Sequence, residues 1–192
     1  MTKGRMEAFS DGVIAVIITI MVLELKTPHG TDLAALHELV PVFLSYLLSF
    51  VFVAIYWNNH HHMLHVVQHV DGAVLWANSH LLFWLSLVPF TTAWLAEGGV
   101  APWPVAIYGL VLLLSAIAYT ILQLTLVRRH GGRQSTLARA VGSDLKGHIS
   151  IVFYLAGIAC AFVLPGASIA LYLVVALLWL VPDRRIERVL TA

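Results

Sequence analysis

The sequence predicts an all-α integral membrane protein with six transmembrane helices per subunit, and three observations predict it. Hydrophobic residues fill 60% of the 192 positions and charged residues only 11%, with a mean hydropathy of +0.88; soluble domains run to about 45–50% apolar and about 25% charged. Six apolar segments approach or exceed the roughly 20 helical residues that a hydrocarbon core of about 30 Å requires. The cations are sorted by side: Lys3, Arg5, Arg128, Arg129, Arg133, Arg139, Lys146, Arg184, Arg185 and Arg188 share one face of this topology, and only Lys26 falls on the other.

In chain order the spans lie near 6–26, 39–62, 73–97, 104–128, 146–165 and 168–182. Each break carries turn or breaker residues: KTPHGTD, HHHMLHVVQHVDG, EGGVAPWP, RRHGGRQSTLARAVGSD and LPGAS. Lys and Arg are retained on the cytoplasmic side, so an even number of spans places both termini inside, in a multi-pass protein of the inner (plasma) membrane. Lys3 and Arg5 precede an apolar run that ends in LELKTPHG without a small-residue cleavage pattern, so no leader is read and residue 1 is taken as the start. The spans use nearly the whole chain, which gives one membrane domain over 1–192. A net charge of +1 gives no sign of a nucleic-acid partner, and the single Cys160 allows no disulfide framework.

The first span, RMEAFSDGVIAVIITIMVLEL, carries Asp11 about a third of the way along it. At about 100° per residue, Val16, Thr19, Ile20 and Leu23 share a narrow stripe, with Gly12 on the same side one turn earlier, and Asp11 lies nearly opposite. A carboxylate facing lipid would cost roughly 2.5–3.5 kcal/mol, so Asp11 is expected to point into protein. Donors at matching depth stand in YWNNHHHMLH and WANSHLLFW: Trp57, Asn58, Asn59, His60, His61, Asn78 and His80. Such a polar knot pins three helices together or relays protons. The aliphatic stripe reads either as packing or as the lining of a lumen.

Arg5, Phe9, Ser10 and Asp11 make an R-x-x-x-F-S-D pattern that resembles the signature opening the first helix of the transmembrane protein 175 family of potassium channels, in its single-repeat prokaryotic branch. WNNHHHMLHVVQHVDGAVLWANSHLLFWLSLVPF is similar to that family's second-to-third helix region. The resemblance spans the chain and is specific over roughly 5–25 and 57–92. It implies a homotetramer in membrane lipid, with the first helix of each subunit lining one central pore. It further implies conduction of potassium, weakly to moderately selected over sodium, by a hydrophobic constriction and without a carbonyl filter; no T-V-G-Y-G occurs here. Carried across the motif, the constriction falls on Val16, Ile20 and Leu23 with the Thr19 hydroxyl beside it. Asp11 becomes a brace in a network with Arg5, Phe9, Ser10, Trp57, His61, Asn78 and His80. For Arg5 the wheel points to the inner mouth and the resemblance to the network.

A ring of aliphatic side chains can gate by dewetting, and a threonine hydroxyl can replace part of the hydration that potassium gives up more readily than sodium. Glu24 either concentrates cations at the outer entrance or is a solvated residue beside Lys26. His60, His61 and His65 offer helical ligand spacing but lack an H-E-x-x-H pattern or a cysteine partner, and His61 with His80 is the one pairing that would suit haem; neither a metal nor a cofactor is expected, and potassium enters only as the permeant ion. The alternative function is a proton-coupled cation carrier that uses Asp11 and nearby histidines. The first span is unbroken by proline and no F-S-D recurs in the second half, both of which favour a pore. No nucleophile–base pair marks an enzyme.

Overall fold

The computed structural model describes residues 2–65, 67, 69–132 and 144–180, and every described element is an α-helix. Arg133, Arg139, Arg184, Arg185, Arg188 and the last residues of the sixth expected span lie outside them. Helix α1 runs Lys3–Leu23, a short α2 Leu33–His37, α3 Val40–His65, α4 Gly72–Ser86, α5 Val88–Gly98, α6 Pro102–Arg129, α7 Leu145–Cys160 and α8 Pro165–Leu180. Four helical stretches have the length and hydropathy to cross a membrane: α1, α3, α4 with α5 taken as one run, and α6. The expected fifth and sixth spans are shorter apolar helices of 16 residues each.

The third expected span is divided. Leu87 ends α4 and starts α5, and Pro89 stands in the first turn of α5. Proline has no N–H to return to the preceding turn, and hydroxyls occupy the carbonyls around the break. Ser86 Oγ donates to Phe83 O at 2.7 Å, and Thr92 Oγ1 donates to Val88 O at 2.7 Å. Neighbouring hydroxyls are the usual remedy for a broken span in lipid.

Aspartates start three helices by accepting an amide hydrogen in the first turn: Asp32 from Ala35 N at 3.0 Å, Asp71 from Val74 N at 3.0 Å and Asp144 from Gly147 N at 2.9 Å. Asp71 also pairs with Arg129 Nε at 3.0 Å, tying the start of α4 to the end of α6. At the opposite end of the bundle Lys26 pairs with Glu97 at 3.7 Å, both exposed.

Two apolar cores result. The first gathers Met6, Ile14, Ile17 and Met21 of α1 with Val53 and Leu64 of α3, Leu81 and Leu85 of α4, and Leu122 and Leu126 of α6. The second joins Leu48 and Phe52 of α3 to Val105, Tyr108 and Leu112 of α6, Tyr154 of α7 and Tyr172 of α8. Helix α6 serves both and packs on α4, α5, α7 and α8. Tyr172, wholly buried, lies against Gly109 of α6 and Gly157 of α7, where a methyl group at either glycine would run into its ring or hydroxyl. Its hydroxyl donates to Val105 O at 3.3 Å. Small residues that let a bulky neighbour approach the backbone are a common packing device between helices in lipid.

Candidate pore helix and its polar brace

Helix α1 has two faces of opposite character. Met6, Ser10, Ile14, Ile17 and Met21 are buried against α3, α4 and α5. Val16 is 56% exposed, Ile20 44% and Leu23 74%, and Thr19 and Gly12 are exposed beside them. This is the stripe that the helical wheel isolates. A methyl group placed on Gly12 would meet nothing within 4 Å, so the open strip continues one turn towards the N-terminus. Thr19 Oγ1 donates its proton to Ala15 O at 2.9 Å. The hydroxyl oxygen therefore turns its lone pairs outward and can accept from water or coordinate a cation.

Behind the buried face runs a polar chain across three helices. Ser10 Oγ donates to Met6 O at 2.8 Å, Asn78 Nδ2 of α4 donates to Ser10 Oγ at 2.9 Å, and Asn78 Oδ1 lies 2.7 Å from His60 Nε2 of α3. Asn78 turns its NH₂ group to Ser10 and its carbonyl oxygen to His60; that oxygen only accepts, so His60 carries a proton on Nε2 in this arrangement. Ser10, His60 and Asn78 are each at most 2% exposed. Asp11 stands beside this chain, on the protomer surface, and accepts from Trp57 Nε1 at 3.0 Å.

The expected network is thus redistributed. Ser10 takes the inward position, so Asp11, one residue and about 100° further round, is turned to the flank. His60 fills the place expected of His61, which is exposed and stacks on Trp57 with ring centroids 6.2 Å apart. His80 is exposed and accepts from Trp84 Nε1 at 2.9 Å on its own helix; two residues beyond Asn78, it cannot share that residue's face. Arg5 and Phe9 each precede a buried residue and are exposed. Arg5 forms no hydrogen bond or ion pair among the described residues. Lys3, counted in the sequence only among the inner-face cations, donates to His65 O at 3.1 Å and pairs with Glu7 at 3.7 Å.

A second buried knot went unread in the sequence. Thr92 Oγ1 of α5 and Ser49 Oγ of α3 lie 2.6 Å apart, and Ser49 Oγ lies 3.0 Å from Tyr108 Oη of α6. The only sequence signal was a hydroxyl in each of three apolar runs. Among the described residues no three His, Cys, Asp or Glu side chains gather as a metal-binding group.

A multi-pass helical bundle whose first helix is braced on one face and bare on the other has the build of a channel subunit. A profile described as "Endosomal/lysosomal potassium channel TMEM175" matches residues 5–89. A potassium channel from Chryseobacterium sp. (strain P1-3) is 55% identical over 188 residues, covering 98% of this chain and 97% of that one. The crystal structure of a lysosomal potassium-selective channel TMEM175 homolog from Chamaesiphon minutus superposes with a TM-score of 0.80 at 30% identity, over 94% of this chain and 97% of that one. The endosomal/lysosomal proton channel TMEM175 of Danio rerio is 37% identical over 81 residues, 35% of this chain and 16% of that protein. The chain belongs to the TMEM175 family of ion channels and is not an enzyme.

Proposed function

We propose that the chain is a potassium channel with weak to moderate preference over sodium, formed by four copies around one pore lined by α1. One observation carries this reading: the stripe of Val16, Ile20 and Leu23 is bare on a helix whose other face is fully packed. Lone lipid contact would account for the aliphatic residues. Gly12 and the Thr19 hydroxyl add a small and a polar position to the same strip, which suits a lumen that admits water.

In the tetramer four copies of each aliphatic residue form collars that dewet when narrow and pass a partly dehydrated ion when wider. The Thr19 oxygens replace some of the lost water and favour the ion that dehydrates at lower cost. Asp11, bonded to Trp57, holds α1 against α3 and stays out of the ion path. Helices α7 and α8 complete six spans as short, tilt-free crossings in a locally thinned bilayer, with both termini in the cytoplasm and residues 1–192 acting as one domain of the plasma membrane.

The test is single-channel recording of the purified protein in planar bilayers, potassium facing sodium. Discrete openings that reverse towards the potassium equilibrium potential support the channel. Slow potassium uptake that follows a proton gradient, without unitary events, replaces it with a carrier.

A further inference from the structure

Several histidines in this half of the bundle are engaged: His60 with Asn78, His80 with Trp84, and His148 with Asp144 O at 2.6 Å. His61 and His65 are different. Both are exposed, and neither imidazole makes a hydrogen bond or ion pair among the described residues. They stand one turn apart on α3 with ring centroids 6.1 Å apart. Two imidazoles on adjacent turns share a helix face, and at this separation one nitrogen of each can reach a common ion at about 2.0–2.1 Å by rotamer adjustment. His62 sits about 100° round the helix, with its ring edge-on to His61 at 5.7 Å.

The neighbouring helix supplies matching charge. Lys3, Glu7 and Asp11 recur every fourth residue on α1, as Trp57, His61 and His65 do on α3. The two stripes are joined at both ends, Asp11 to Trp57 at 3.0 Å and Lys3 to the His65 carbonyl at 3.1 Å. The antiparallel register sets Glu7 opposite His61, so two carboxylates flank the histidine pair against the single Lys3.

We propose that His61 and His65 form a bidentate site for a divalent late-transition-metal ion such as Ni²⁺, Cu²⁺ or Zn²⁺. Imidazole nitrogen suits these ions. No third ligand is in place among the described residues, so water fills the remaining positions and the ion exchanges freely, unlike a resident cofactor.

The untagged full chain in detergent is titrated with NiCl₂ alone, followed by calorimetry and by tryptophan fluorescence, because Ni²⁺ at this pair lies beside the Trp57 ring that stacks on His61. The expected result is saturable binding of one Ni²⁺ per chain with partial quenching. Both signals are lost in His61→Gln and in His65→Gln and kept in His62→Gln; Trp57→Phe keeps the heat and loses the quench. Absence of saturable binding in the parent protein overturns the site, whatever the variants do, and so does undiminished binding in both single variants. Neither readout uses ion flux, so the site and the channel reading fail separately.

Discussion

Asn78 Nδ2 sits 2.9 Å from Ser10 Oγ, and through this bond α1 is tied to α4 and, one bond further, to His60 of α3. The chain ends on a backbone carbonyl, Met6 O, so each of its side chains is satisfied inside an apolar setting. Buried polar groups of this kind are expensive to orphan, and that asymmetry decides what their removal does.

Asn78→Leu leaves the Ser10 oxygen without its donor and the His60 Nε2 proton without an acceptor. A loss of about 1–3 kcal/mol is expected, read as a lowered thermal midpoint of the purified protein. Ser10→Ala is expected to be milder, because Met6 O already belongs to the helix ladder and Asn78 loses one donor contact only. An unchanged midpoint in Asn78→Leu would show that the chain contributes nothing to stability.

Leu23→Ala and Ile20→Ala remove side chains that the protomer leaves 74% and 44% exposed. Little protomer stability is expected to go with them. Conductance should rise or selectivity should loosen, and Thr19→Val should lower the potassium preference. Currents unchanged in all three would take the stripe out of the ion path.

Asp11→Ala deprives Trp57 Nε1 of its acceptor at a half-exposed site. The expected cost is about 1 kcal/mol, felt in yield and oligomer recovery on size exclusion before it is felt in reversal potential. Asp11→Asn keeps an acceptor and should recover most of the loss. Normal assembly together with flux newly uncoupled from a proton gradient would count for the carrier instead.

Gly109→Ala and Gly157→Ala both collide with buried Tyr172, though with different atoms. At Gly109 the nearest atom is the tyrosine hydroxyl, and at Gly157 it is ring carbon Cε1. Each substitution is expected to destabilise by about 1–3 kcal/mol. Tyr172→Phe should relieve Gly109→Ala only in part, because ring carbon Cζ still lies 2.5 Å from the added methyl, and should leave Gly157→Ala unrelieved, a difference that melting of the four variants would expose. Equal rescue of both would place the clash elsewhere.

The membrane class and the aliphatic stripe of α1 were legible because hydropathy and helical periodicity are properties of one segment. The aliphatic stripe needed no partner to be seen. The division at Leu87 was half visible: Pro89 marks a break, but a proline within an apolar run does not say whether the helix bends or ends. The choice of His60 over His61 was hidden, since the rotation of α3 about its own axis depends on what α1 and α4 present to it. Asp11 was read as inward because a carboxylate in lipid is costly, yet one indole N–H at the protomer surface suffices for it here. Ser49, Thr92 and Tyr108 could not be joined from sequence at all, as each lies in a different span beside other hydroxyls, such as Ser45, Thr91 and Ser115, from which the sequence does not distinguish it.

The fit of Tyr172 between Gly109 and Gly157 also bears on descent. The three positions share one fixed volume, so a lineage that enlarges either glycine must first or soon after shrink the residue at 172, and a lineage that keeps the tyrosine is held to glycine at both. Change at these sites should therefore be correlated among relatives, while the lipid-facing residues around them drift independently.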